Sequence, residues 1–333
     1  MTRWYLGDNA TAIAWSPDCK RVATALASGK VKVFEVNADD AVCRLDGHRF
    51  GAMGVAWSPD GSTIATAGQD GKAHLYDTSS ASLIKTLQGG GAQWVEQIAW
   101  SPDGRHLATA AGKSLRLWTD RGDLVYEFKD HRSTVSAMQW QYAGDRIATA
   151  CYGAVLFFST KSPKPCQELE WQSSLISLVW SPDGKYVAAG TQEASVYFCK
   201  LVSKDRKDLT MSGYETKVKE LAWERKSRFL ATGGGRQITI WDIVNGPEGS
   251  MPQVLRHLFR VTHLAYQRSG DLLVSGSKEG FVAFWRPEES KVPVREIRLG
   301  ADILAARWSP DEASVAVCTA DGYLAVLETP PEK

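Results

Sequence analysis

The chain has 333 residues, 44% of them hydrophobic and 23% charged, which is a globular rather than a disordered composition. Lys and Arg total 39 against 38 Asp and Glu, and the resulting net charge of +1 excludes a chain-wide electrostatic pull toward nucleic acid or an anionic membrane. No apolar run approaches the ~18 residues of a membrane helix, and the first residues lack the apolar stretch of a signal peptide. Six scattered cysteines with no C-x-x-C pair suggest no disulfide framework. A reducing, intracellular and cytoplasmic setting is expected.

From the N-terminus, Thr2–Leu6 reads as a short strand standing ahead of a repeat. The string Trp-Ser-Pro-Asp then recurs at Trp15, Trp57, Trp100, Trp180 and Trp308, with weaker copies at Trp140, Trp223 and Tyr266. These eight anchors lie 40 to 43 residues apart. A second aromatic or apolar mark follows each by 18 or 19 residues, from Phe34 and Tyr76 through Trp241 and Trp285 to Leu327. Two marks at a constant interval through eight copies define a repeat.

Each unit reads as β structure. Ser-Pro-Asp-Gly after an anchor is a tight turn, because Pro presets φ, Asp tolerates the next position and Gly takes the positive φ that follows. Short runs such as TIATAG, then alternating runs such as KAHLYD and QITIWD, are the second and third strands. A fourth strand, such as LIKTLQ or LVYEFK, leads to the next anchor. No long 3.6-residue period occurs, so almost no helix is expected. Repeats of this length with four short strands are blades of a β-propeller.

The unit resembles the WD repeat, with Gly47-His48, Asp70 and Tyr76-Asp77 as its fullest copy and Trp241-Asp242 as an unaltered Trp-Asp pair. His48, His131 and His257 each stand nine residues before an anchor. The resemblance implies a hydrogen-bonded structural tetrad of His48, Thr66, Asp70 and Tyr76, with His257, Ser275, Glu279 and Trp285 as a weaker set. The expectation is an all-β chain, 1–333 forming a single eight-bladed propeller of four-stranded antiparallel blades. The last unit stops at its third strand, so the N-terminal strand should complete it and leave no open edge.

No catalytic constellation is visible: there is no G-x-S-x-G, H-E-x-x-H or G-x-x-x-x-G-K-[ST]. The chain is expected not to be an enzyme, with no cofactor and no metal. His74, His106 and His263 lack neighbouring ligands at metal spacing. Ten of the 13 tryptophans belong to the repeat, Trp4 belongs to the closing strand, and Trp94 and Trp171 are left over in loops entering the next unit. In the family this face commonly binds partners. Candidate rim contacts there are Arg49, Phe50, Gln69, Trp94, Arg132 and Tyr152, and further round Trp171, Gln192, Arg236, Phe259, Arg260 and Lys278. A local excess of positive charge between Lys200 and Arg228 places Lys204, Arg206, Lys207, Arg225, Lys226 and Arg228 on the opposite face. The expected function is a non-catalytic scaffold or adaptor that binds one or more proteins. The alternatives are a nucleic-acid-binding subunit using that basic face, and a small-ligand or enzyme site at the channel mouth.

Overall fold

The repeated turn explains why the strands fold back where they do. In the computed structural model the serine after the anchor turns its hydroxyl onto the aspartate two residues on: Ser16 to Asp18 at 2.5 Å, Ser58 to Asp60 at 2.5 Å, Ser101 to Asp103 at 2.6 Å and Ser309 to Asp311 at 2.6 Å. The same serine oxygen accepts the amide five residues on, as in Ser58 with Thr63 and Ser101 with His106. Each aspartate also accepts an amide inside its turn, and these bonds hold Asp18, Asp60, Asp103 and Asp311 below the ordinary carboxylate range. The fourth residue has positive φ. Gly61 and Gly104 adopt it without strain, whereas Cys19, Ser227 and Glu312 adopt it with a side chain.

The structure describes residues 1–89, 93–142, 144–201, 208–246 and 251–331. Among them all regular structure is β, apart from one 3-10 turn at Lys278–Gly280. Four-stranded antiparallel sheets cover residues 10–45, 52–88, 95–128, 221–256 and 261–298. Another is made of Ile303–Trp308, Ser314–Thr319 and Tyr323–Glu328 with the N-terminal strand Thr2–Tyr5 on its outer edge. There Trp4 pairs with Leu324 and Tyr5 with Tyr323, and Leu6 donates its amide to the Gly322 carbonyl at 2.8 Å. Trp4 is buried against Phe34 and gives its indole N–H to Ala38 O at 2.7 Å.

The expected eight blades are corrected to seven. The units anchored at Trp140 and Trp180 share one six-stranded sheet, in which Arg146–Ser159 and Gln167–Trp180 are unbroken strands of 14 residues each. The cause is local: Tyr152 pairs with Ser174, so pairing carries across Gly153 (φ 81°), where other units leave an unpaired turn. The innermost strands of successive units contact one another round the whole ring, including Ala10–Trp15 against Ile303–Trp308 where the chain ends meet. The apolar core lies between neighbouring sheets, as in the cluster of Trp4, Leu6, Trp15, Phe34 and Leu324.

Glu312 adds a clamp. Its buried carboxylate reaches the turn of the preceding unit, accepting the amides of Arg268, Ser269 (3.1 Å) and Gly270 (3.2 Å) and the Ser269 hydroxyl at 2.5 Å. Charge-assisted bonds of this kind are worth about 1.5–3 kcal/mol each. Glu312→Ala is expected to lower the melting temperature by roughly 5 °C, as a loss of about 3 kcal/mol does in a chain of this size. Glu312→Gly loses the same bonds but relieves the positive φ, so its melting temperature should lie between those of the alanine variant and the native chain. Removal of residues 324–333 strips the strand that Thr2–Tyr5 pairs with, and the expected result is insoluble protein, read as the soluble fraction on expression.

Candidate functional site

Inside the sheets the polar positions form local networks. His48 Nδ1–H donates to Asp70 at 2.9 Å, and Thr66 gives its hydroxyl to His48 Nε2 at 3.0 Å. Tyr76 does not close this set. Its hydroxyl donates to the Asp46 carbonyl, so His74 Nδ1–H must be the donor toward the Tyr76 oxygen at 3.0 Å. A tyrosine hydroxyl extends beyond the position of an indole N–H, which is why the fourth member is redirected. The two imidazoles stack at 4.5 Å and 13°. His48, Asp70 and His74 bring ligand atoms within 4.8 Å of one another, the one such metal-sized group among the described residues. Both His48 nitrogens and His74 Nδ1 are engaged in hydrogen bonds within the sheet.

The second set also departs from its expected form. Ser275 bonds His257 Nε2 at 2.8 Å and accepts the Trp285 indole N–H at 2.8 Å. Glu279 sits exposed at positive φ, and His257 Nδ1 is buried without a hydrogen-bond partner. A third network was missed in the sequence because its aspartate is absent: His131 Nε2 meets Thr149 at 2.8 Å while Nδ1–H donates to the Lys113 carbonyl at 2.8 Å. In a fourth, Tyr214 replaces histidine and bonds Thr232 at 2.8 Å, and Trp241 donates to both.

On the face carrying the second-to-third-strand turns, a groove with a volume of about 740 Å³ opens over the six-stranded sheet. Arg132, Tyr152, Glu170, Trp171, Ser173 and Glu193 line it, drawn from the two 14-residue strands and from the connecting segments at Arg132 and Glu193. Tyr152 is 55% exposed. Trp171 is half-buried and stacks on the buried Tyr197 at 4.3 Å and 26°, so it is a wall with a fixed orientation. Arg132 is held by Glu168 at 2.8 Å, by Glu170 and by the Gly153 carbonyl. The Ser173 hydroxyl bonds Glu193 and keeps its carboxylate below the usual range. Three carboxylates against one guanidinium leave the groove and its rim net negative.

The other rim candidates are dispersed. Trp94 is 50% exposed and Phe50 is 56% exposed, with the Arg49 guanidinium 5.5 Å from the Phe50 ring. Gln69 is half-buried and accepts the Gly51 amide, a turn-stabilising role. Gln192 and Arg236 are exposed. Phe259 stacks on Phe281 at 5.3 Å, Arg260 is half-buried beside it, and Lys278 lies 3.8 Å from Asp302. Of the basic-face candidates, Lys204, Arg206 and Lys207 lie outside the described residues. Arg228 is paired with Asp242 at 2.8 Å, and Arg225 donates to the Ser269 carbonyl at 2.6 Å, leaving Lys226 exposed between them.

Burial pushes the pKa of His257 down to about 4, and burial with the neighbouring His48 pushes that of His74 down to about 4. An unfolded histidine titrates near 6.5, so below that pH the unfolded chain takes up protons that the folded chain refuses. Stability is therefore complete above about pH 6.5 and falls as the pH drops toward 4. His257 contributes up to roughly 3 kcal/mol to that loss, and the less enclosed His74 contributes less. The melting temperature should fall steeply between pH 6.5 and 4, and His257→Asn should flatten that slope in a thermal-melt series.

Comparison with known proteins places these features. The family described as the IFT122 first beta-propeller matches residues 54–328, and the WD domain, G-beta repeat, matches residues 6–35. Relatives include the B-type cell cycle switch protein ccs52B of Medicago truncatula, 24% identical over 48% of this chain and 32% of that protein. Cell division cycle 20.6, cofactor of APC complex, of Arabidopsis thaliana is 25% identical over 60% of this chain and 46% of that protein. The U3 small nucleolar RNA-associated protein 15 homolog of Xenopus laevis is 33% identical over 31% of this chain and 20% of that protein. The matched segments thus span less than half the length of these relatives. Among solved structures, Saccharomyces cerevisiae Sqt1 superposes with a TM-score of 0.84 at 16% identity, covering 99% of each chain. The computationally designed Ika8 protein gives 0.81 at 18% identity, covering 97% of this chain and 96% of that one, and both likenesses concern the fold alone.

Proposed function

The chain belongs to the WD-repeat β-propellers, and we propose that it acts as a non-catalytic scaffold that binds another protein through the groove over its six-stranded sheet. One observation carries this reading. Tyr152 and Trp171 place two aromatic rings beside Glu170 and Glu193 in a single concave surface. Aromatic faces with adjacent carboxylates suit a lysine or arginine side chain, through cation–π attraction and charge-assisted hydrogen bonds. The proposed occupant is an extended, basic segment of a partner protein. Relatives named as cofactors of the APC complex, and as associated with a small nucleolar RNA, support a role inside larger assemblies. Trp94, exposed in a loop of the same kind, extends the proposed contact surface.

The test begins with the intact protein as bait in its native extract at low and moderate salt, followed by mass spectrometry of what is retained. A stoichiometric protein partner is expected. Tyr152→Ala and Glu170→Gln should then each weaken that partner about 10- to 30-fold with the melting temperature unchanged, because both side chains are exposed. Equal affinity in both variants would remove the groove from the interface. Trp171→Ala is less informative, since it also removes the stack on Tyr197.

A further inference from the structure

The central channel carries a charge that the repeat does not explain. The residue just before each anchor is alanine in five units, at positions 14, 56, 99, 222 and 265, with Gln139 and Val179 in two more. In the last unit it is Arg307. This guanidinium lies inside the ring and lines two channel compartments, of about 560 and 530 Å³, that meet at it. Among the described residues no carboxylate pairs with it. Its one hydrogen bond is to a carbonyl of its own strand, from Nη1 to Ala306 O at 3.0 Å.

The surroundings sharpen the imbalance. Arg268 lines the 560 Å³ compartment with Arg307, its guanidinium 5.5 Å from the Tyr142 ring. The one carboxylate in that compartment, Glu312, is consumed by the amides of Arg268, Ser269 and Gly270. The other compartment holds Lys219, Glu96 and Glu220, and Glu220 accepts the Lys219 amide at 3.4 Å and feels the charge of Arg260. His263, beside Arg307, buries Nδ1 without a hydrogen-bond partner and is kept neutral by burial and by the charges of Arg307 and Lys219. Two exposed guanidiniums thus face the 560 Å³ compartment, whose one lining carboxylate is engaged by backbone amides, while Glu96 and Glu220 lie in the adjoining one.

We propose that the channel compartment lined by Arg268 and Arg307 binds a small multivalent phosphate anion. Guanidinium forks match phosphate oxygens in paired hydrogen bonds, and Gln139 on the same wall offers a further amide donor. The compartment opens on the face of the Ser-Pro-Asp turns, represented by Ser309 and Pro310 in its lining, and so lies opposite the groove.

Titration calorimetry of the intact 333-residue chain with inorganic pyrophosphate, at ionic strength held constant with sodium chloride, tests this directly. Saturable binding of one pyrophosphate per chain is expected, with a matching rise in melting temperature. Arg307→Ala, which installs the residue five other units carry, should weaken binding at least 10-fold, and Arg268→Ala should weaken it several-fold. Tyr152→Ala, on the other face, should leave it unchanged. Absence of saturable heat, equal binding by Arg307→Ala, or equal binding of citrate would each overturn the proposal. If Arg307→Ala does not fold, Arg307→Lys keeps the charge but loses the fork, and undiminished binding in that variant counts against the site as drawn.

Discussion

An anchor tryptophan that gives its indole N–H to the inner strand of the preceding unit ties two units together, and four anchors do so, whereas Trp57, Trp100 and Trp223 bury theirs without a partner. Trp15 donates to the Arg307 carbonyl at 3.0 Å, Trp140 to Ala99 at 3.1 Å, Trp180 to Gln139 at 3.2 Å and Trp308 to Ala265 at 2.9 Å. Each bond crosses from one repeat unit to the inner strand of the one before. Each anchor also buries a large apolar surface at that junction, where truncation costs about 3–5 kcal/mol. The first of these bonds spans the chain ends. It fixes Arg307 by its carbonyl while the side chain faces the channel, so closure of the ring and placement of the proposed anion site depend on one residue.

In five units the recurring element is a hydroxyl on the second strand rather than the histidine. Thr66, Thr149 and Ser275 each meet a histidine Nε2, Thr232 meets Tyr214, and Thr109 accepts the Trp118 indole N–H at 2.9 Å without any histidine. A hydroxyl both donates and accepts, so it can be satisfied by whatever donor or acceptor the neighbouring loop supplies. That versatility explains how the motif can erode while the strands remain in place. Where the aspartate is lost, the histidine takes a backbone carbonyl, as His131 does, or keeps one nitrogen unpartnered, as His257 does.

The regular part of the structure was legible because it repeats. The anchors, the Ser-Pro-Asp turns and the spare N-terminal strand each follow from one local rule, applied several times. What could not be read depends on single pairings across loops. Tyr152 bonding to Ser174 turns two expected blades into one sheet, and no residue type announces it. The stack of Trp171 on Tyr197 and the convergence of Glu170 and Glu193 arise from segments that the repeat treats as variable. Tyr76 was assigned by register alone, and the length of its side chain decided otherwise. Arg307 was visible as a break in a column of small residues, a signal found by comparing units rather than by searching for motifs. Half of the expected basic face lies outside the described residues, and Arg225 and Arg228 are occupied by internal partners.

The two faces of the propeller therefore differ in kind. The groove is negative and aromatic, built on the two long strands and the segments beside them, and its proposed occupant is a cationic side chain presented by a larger partner. The channel compartment behind it is positive, walled by inner strands and anchor tryptophans, and its size suits a small anion. Loops can vary without disturbing the ring, whereas a charge placed on an inner strand must be tolerated by every neighbouring unit. Arg307 is exposed within the channel, its guanidinium without a carboxylate partner among the described residues. Its place on an inner strand, next to a carboxylate turned away to backbone amides, is what the proposed anion would use.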